Sequence, residues 1–244
     1  MDLGLRGRPA LVTGASSGLG LGCASLLAAE GCRVFICARD ATKLAASASA
    51  IGAAGHRSAD ISRSEEVSAL VAAAVDSLGG LDILVTNTPN PDPGPFDAKG
   101  DEDWSRNHEA ILMSVVRLIR LARPELARSG RGRIVNITST AADEALPGRL
   151  FSSSYRAALH AMAKQLSFDL AAESVTINNI APGNIRTPQW DEESAGAVAA
   201  AIPMGRLGLP EEVGALCAYL CSQQAAYVTG QTITIDGGLS RALR

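Results

Sequence analysis

Aromatic side chains are scarce in this 244-residue chain: two Trp, three Tyr and four Phe, 4% in all. Ala, Leu, Val and Ile must therefore fill any core, and an apolar content of 47% is enough to bury one. Cysteine is scarce too. Cys23, Cys32, Cys37, Cys217 and Cys221 are odd in number and contain no C-x-x-C pair, so neither a disulfide framework nor a zinc site is expected. Cys217 and Cys221 lie one helical turn apart and read as helix packing. The histidines (His56, His108 and His160) form no spaced cluster, and no metal is expected. No Lys/Arg-rich run stands out among 22 basic and 25 acidic residues (net charge −3), so nucleic acid is not an expected partner. No window approaches the roughly 18 apolar residues of a membrane span. No apolar stretch follows Arg6 and Arg8 to serve as a signal peptide, and a cytoplasmic protein is the default expectation.

What the chain does have is alternation. Short β-branched runs at Pro9–Thr13, Arg33–Ala38, His56–Asp60, Ile83–Thr86, Gly132–Ser139, Thr176–Ala181 and Thr232–Asp236 read as strands. Ala/Leu-rich amphipathic stretches near 18–30, 42–52, 64–78, 101–128, 152–173 and 210–222 read as helices. Strand–helix alternation repeated this often predicts an α/β fold: a single Rossmann-type, doubly wound parallel sheet with helices on both faces. Residues 1–244 read as one dinucleotide-binding domain. Three irregular stretches, about 88–101, 140–152 and 186–204, follow strands and are expected to rim a ligand cleft as substrate loops. The first holds four prolines. The last, with Trp190, acidic residues and an Ala-rich run, suits a mobile lid or an ordinary surface loop.

The opening strand runs into Leu11–Gly20, LVTGASSGLG, and then a helix. Gly14 permits a tight turn, Gly18 lets a pyrophosphate approach the backbone, and Gly20 allows close helix–strand packing. Phosphates at the helix N-terminus would meet free N–H groups and the positive end of the dipole. A site selective for NAD would end the second strand in a carboxylate; here Ala38 stands there and Arg39 follows, a natural partner for a 2′-phosphate. The expected cofactor is NADP(H). A solvated Arg39, with Asp40 as the acidic residue, is the competing reading.

From Gly7 to about Leu239 the chain resembles the short-chain dehydrogenase/reductase family, of the 3-oxoacyl-carrier-protein-reductase-like type. The matching segments are TGASSGLG (13–20), Asp60-Ile61, GRIVNITS (132–139), NNIAPGNIRTP (178–188), PMGRLGLPEEV (203–213) and YVTGQTITIDGG (227–238). The resemblance implies that Ser16, Ser17 and Leu19 hold the phosphates, that Asp60 and Ile61 contact adenine, and that Asn87 sits beside a cofactor ribose. It places Pro182, Gly183, Ile185 and Thr187 at the nicotinamide end. It also implies a homodimer or homotetramer, with helices 101–128 and 152–173 pairing across a two-fold axis.

The family's catalytic group is Asn, Ser, Tyr and Lys. Ser139 is in place, but counting from it and from Pro182-Gly183 puts Ser152 at the Tyr position and Arg156 at the Lys position. The Asn position, seven residues after Trp104, is Ile111. A serine hydroxyl does not ionise usefully near neutral pH, an arginine cannot shuttle a proton, and Ile111 cannot order water. Tyr155, three residues beyond Ser152 on the same helix face, reads either as a displaced acid beside Arg156 or as helix packing. Halohydrin dehalogenases share an arginine at the Lys position, but they lack the nucleotide-binding glycines that this chain keeps. Two functions remain. One is an NADP(H)-dependent oxidoreductase of carbonyl, alcohol or imine type with an altered proton donor, acting on a small apolar substrate. The other is an NADP(H)-binding homologue with a non-redox role, such as cyclisation or isomerisation, or a binding role. Phe96, Leu150, Phe151, Ile185 and Trp190 on the rim loops suggest an apolar ligand.

Overall fold

In a computed structural model that describes residues 2–188 and 190–242, the alternating pattern becomes alternating strands and helices. The strands are β1 (Pro9–Val12), β2 (Arg33–Ala38), β3 (Gly55–Ser58), β4 (Ile83–Asn87), β5 (Arg133–Ile137), β6 (Thr176–Pro182) and β7 (Thr232–Ile235). All pair in parallel, in the order β3-β2-β1-β4-β5-β6-β7. The helices are α1 (Gly18–Ala29), α2 (Ala41–Ile51), α3 (Ser64–Leu78), α4 (Asp101–Asn107), α5 (Ser114–Arg128), α6 (Leu150–Ala171), α7 (Glu192–Ala199) and α8 (Pro210–Cys221). This is the doubly wound sheet that the pattern predicts.

Successive strand residues point to opposite faces, so β1 feeds two cores. Ala10 and Val12 pack with Cys23 and Leu27 of α1, Leu44 of α2 and Cys217 of α8. Leu11 packs on the other side with Leu70 of α3, Leu118 of α5 and Leu159 of α6. A parallel sheet needs both faces covered, and Ala, Val and Leu achieve it with few rings. Small residues bring α1 against α8: a Cβ at Gly22 would lie 2.5 Å from the Pro210 carbonyl oxygen, and one at Gly214 would lie 2.5 Å from that of Gly22.

At the sheet's amino end, just before β1, Arg8 is 1% exposed and fully occupied. Its Nε meets Asp82 Oδ2 at 3.3 Å, Nη1 donates to the Cys221 carbonyl at 2.7 Å, and Nη2 donates to the Arg131 carbonyl at 2.6 Å. Arg131 Nε adds a second cation to Asp82 at 2.8 Å.

Several expected boundaries are corrected. The helix expected over 101–128 is broken by a π turn at His108–Met113, which buries Ile111. The stretch 186–204 is irregular only in part, because α7 forms within it. Its Ala-rich composition favours helix, and Asp191 caps it by accepting from the Ser194 N–H at 2.8 Å. Gln189 in this stretch lies outside the described residues, as do Met1, Leu243 and Arg244 of the expected 1–244 domain. The stretch 140–152 contains a 3-10 turn at Thr140–Ala142 and the first turn of α6, and 88–101 contains another 3-10 turn at Phe96–Ala98. β3 stops at Ser58, leaving Asp60 beyond its end. Among the described residues no helix is long and apolar enough to cross a membrane.

Candidate functional site at the carboxyl ends of the strands

The chain leaves β1 towards β2 on one side and β4 towards β5 on the other, so a crevice opens between their carboxyl ends. The glycine turn lies there. Gly14 and Gly18 have φ of +60° and +56°, conformations that favour glycine. Asn87 at the end of β4 holds the turn by donating from Nδ2 to the Gly14 carbonyl at 3.1 Å, while its own N–H donates to Thr13 Oγ1 at 2.9 Å. The close approach at Gly20 is to this turn: a Cβ there would sit 2.3 Å from the Gly14 oxygen and 2.8 Å from Asn87 Nδ2. The packing expected of Gly20 against a strand is thus packing against the strand's exit turn. At Gly18 a Cβ would come within 3.3 Å of Thr187 Cγ2, which places Thr187 beside the same turn. Ser17 precedes α1 without a side-chain cap, so the first-turn N–H groups point outward unpaired by it.

At the end of β2, Arg39 is exposed, and Asp40 beside it is committed to capping α2 through the Lys43 N–H at 3.0 Å. Asp60 accepts from the Ser62 N–H (3.0 Å) and hydroxyl (2.8 Å). Burial works to raise its pKa, but these hydrogen bonds and the Arg39 and Arg63 charges outweigh it and hold the carboxyl below its ordinary value. Ile61 is buried next to it.

The crevice continues into a cleft of about 380 Å³ lined by Leu19, Ser139, Ser152, Arg156, Pro182, Gly183, Ile185 and Thr187, among others. Ser139, just past β5, accepts the Ala141 N–H on Oγ at 3.1 Å, which fixes the hydroxyl at the mouth of the 3-10 turn. Ser152 sits in the first turn of α6 and is buried. Arg156, one turn on, is 6% exposed. Its Nη1 donates to the Thr138 carbonyl at 2.6 Å, and its Nη2 reaches Asn90 Oδ1 at 3.3 Å and the Pro89 carbonyl at 3.5 Å. Its Nε is buried without a partner. Burial, and then the neighbouring Arg149 charge, pull its pKa down to about 10.

Tyr155 is placed elsewhere. Its hydroxyl donates to the Trp104 carbonyl at 2.9 Å, and its ring stacks on Phe151 with centroids 6.3 Å apart. Tyr155 is not among the residues that line the cleft, and burial raises its pKa. Phe151, expected on the rim, is buried edge-on against Trp104 at 5.0 Å. Phe96 is 67% exposed and outside the cleft, and Leu150 does not line it either; Ile185 and Trp190 do.

Sequence reasoning missed Asn90, Arg149, Asn184 and Leu239, which also line the cleft. It missed His160 as well, whose Nε2 lies 2.8 Å from Thr138 Oγ1 and whose Nδ1 lies 3.1 Å from Asp143 Oδ1. Burial and the Arg156 charge push that imidazole down to about 4. Only the i, i+4 spacing of Arg156 and His160 on one helix face signals their proximity in the sequence.

Residues 14–240 match a family model described as enoyl-(acyl carrier protein) reductase. The chain is 38% identical over 240 residues to nodulation protein G of Rhizobium sp. (strain N33), covering 97% of this chain and 98% of that one. It is 33% identical to the 3-oxoacyl-[acyl-carrier-protein] reductase of Vibrio cholerae, covering 97% and 99%. Among solved structures, L-sorbose reductase from Gluconobacter frateurii, complexed with NADPH and L-sorbose, superposes with a TM-score of 0.95 at 31% identity, covering 100% of both chains.

Proposed function

Because the chain belongs to the short-chain dehydrogenase/reductase family of oxidoreductases, we propose that it is an NADP(H)-dependent reductase of carbonyl or imine groups with an altered proton donor. The observation that carries this reading is the continuity of one cleft, from the glycine turn at Leu19 to Ser139, Ser152 and Arg156. The relatives support it, since the superposed L-sorbose reductase holds NADPH.

The residues present fit the dinucleotide. A side chain at Gly14 or Gly20 would collide with the turn, and the uncapped N-terminus of α1 offers Gly18 and Leu19 N–H groups to phosphate oxygens, with Ser16 and Ser17 beside them. Arg39 would supply the cation for a 2′-phosphate, and Asp60 and Ile61 would flank the adenine. Asn87 and Arg156 would hold ribose hydroxyls, and Pro182, Gly183, Ile185 and Thr187 would flank the nicotinamide. When bound, the cofactor supplies the hydride. Ser139 then donates to the substrate oxygen or nitrogen as it gathers charge, and the Arg156 cation stabilises that charge in a site of low dielectric. The proton comes from water through the Ser152 hydroxyl, which can accept one proton as it donates another. Tyr155 has no part in this step, because its hydroxyl is spent on Trp104. Losing a dedicated acid typically costs about 10² to 10⁴ in rate, so activated carbonyls and imines are the favoured substrates.

The non-redox reading draws on the same observation about Tyr155, since no phenol lines the cleft. The two readings separate when protein and NADPH are mixed with a panel of ketones and cyclic imines and loss of the nicotinamide absorbance is followed. Turnover that falls roughly 10² to 10³ in Ser139→Ala is the expected result. NADPH binding without turnover on any member would favour the non-redox role. The proposed assembly is a homodimer or homotetramer; Phe168, 68% exposed on α6, supports it, and light scattering in solution tests it.

A further inference from the structure

The cleft is lined by both cationic and apolar side chains. Arg149 and Arg156 both line it, and among the described residues no carboxylate does. Asp143, on the same loop as Arg149, is held at 3.1 Å by His160. Arg149 is also the residue that opens α6, a helix of 22 residues whose first turn carries Ser152 into the cleft, so the helix's positive end faces the same space. The Arg149 side chain makes no capping hydrogen bond at that end.

Arg149 has its side chain exposed at the mouth of the cleft, while its backbone is held in place. It bridges to Gly94, the Gly94 N–H donates to the Gly148 carbonyl at 3.1 Å, and the Arg149 N–H donates to Leu146. An exposed arginine at the mouth, a second one buried with its Nε unpartnered, and a helix end without a side-chain cap together favour an anion. Leu146, Ile185, Trp190 and Leu239 also line the cleft and can accept an aliphatic or aromatic body.

We propose that the substrate of this reductase carries a carboxylate beside the group that is reduced, as in a 2-oxo acid or its imine, and that Arg149 is the residue that selects it. The carboxylate sits against the Arg149 guanidinium at the α6 N-terminus, and the neighbouring carbonyl then lies towards Ser139. This rests on the reductase reading above and amends the purely apolar substrate expected from the rim residues.

The test is calorimetry on protein saturated with NADP+, using three acids (pyruvate, 4-methyl-2-oxopentanoate and phenylpyruvate), each against its neutral primary amide. A hydrogen-bonded charge of this kind is expected to favour at least one acid over its amide by roughly tenfold to a hundredfold. Arg149→Gln should abolish that preference and leave amide binding within about twofold, while Arg149→Lys should retain much of it, as a point charge without the fork. A series in which no acid outbinds its amide overturns the proposal. So does a preference that survives Arg149→Gln, or one matched by inorganic phosphate competing as strongly as the acid. If NADP+ itself gives no binding, the reductase reading fails separately; the same ratios measured on the free protein then still judge the carboxylate site.

Discussion

Two buried arginines sit at opposite ends of the sheet and are treated oppositely by the fold. Arg8 at the amino end has every nitrogen engaged, with Asp82 as counter-ion and the carbonyls of Cys221 and Arg131 filling its fork. Arg156 at the carboxyl end has one short bond from Nη1 to the Thr138 carbonyl, two long contacts from Nη2, an unpartnered Nε and, among the described residues, no carboxylate. The first is a finished joint between the starts of β1 and β4, the last residue of α8 and the segment before β5. The second is a charge kept out of water with its partners only half supplied, an arrangement that persists where a ligand completes it. Stability is invested at the amino end and left open at the carboxyl end, where the loops rim the cleft.

The largest effect should come from exchanging the two arginines' roles for a neutral chain. Arg8→Met removes one of the two arginines ion-paired to the buried Asp82 and should cost about 3 kcal/mol in urea unfolding, whereas Arg156→Met removes an under-partnered charge and should cost about 1 kcal/mol or less. Equal losses would break the contrast. Next in size is Gly20→Ala, whose Cβ would lie 2.3 Å from the Gly14 carbonyl oxygen. The turn must shift, and NADPH affinity followed by nicotinamide fluorescence should fall by roughly 100-fold, equivalent to about 2.7 kcal/mol.

Arg39→Ala should weaken NADPH roughly tenfold or more and leave NADH nearly unchanged, since only the 2′-phosphate loses a charge-assisted bond. Parallel weakening of both cofactors would return Arg39 to the role of a solvated side chain. The smallest change is expected of Tyr155→Phe. It removes one hydrogen bond to Trp104, worth about 1 kcal/mol of stability, and should alter turnover less than about twofold. A hundredfold loss of turnover in that variant would put the phenol back in the reaction.

The contrast between the two ends also explains what the sequence could reveal. Much that repeats was legible: most strands from their β-branched runs, the glycine turn from its strand and helix flanks, and the cleft position of Ser139, Ser152, Arg156 and Ile185 from counting along matched segments, although α7 was missed despite its Ala-rich run. What was hidden depends on distant partners. Arg8 is 74 residues from Asp82 and 213 from Cys221, and nothing near Arg8 marks it as buried. The π turn at 108–113 has ordinary helix-forming residues, so only the packing of Ile111 against α6 reveals it. Tyr155 occupies the right helix face by spacing, yet Trp104, brought close by α4, takes its hydroxyl. Arg149 and Leu239 reach the cleft only once the loops and the chain's end fold over it.

Hydride must reach a substrate carbon in this cleft, and the direct measurement is isotopic. NADPH deuterated at nicotinamide C4 is incubated with the protein and each ketone, imine or 2-oxo acid, and the products are read by mass spectrometry. Deuterium on the reduced carbon, strongly diminished in Ser139→Ala, is the predicted result. NADPH that binds tightly while its label stays on the nicotinamide with every substrate would contradict it.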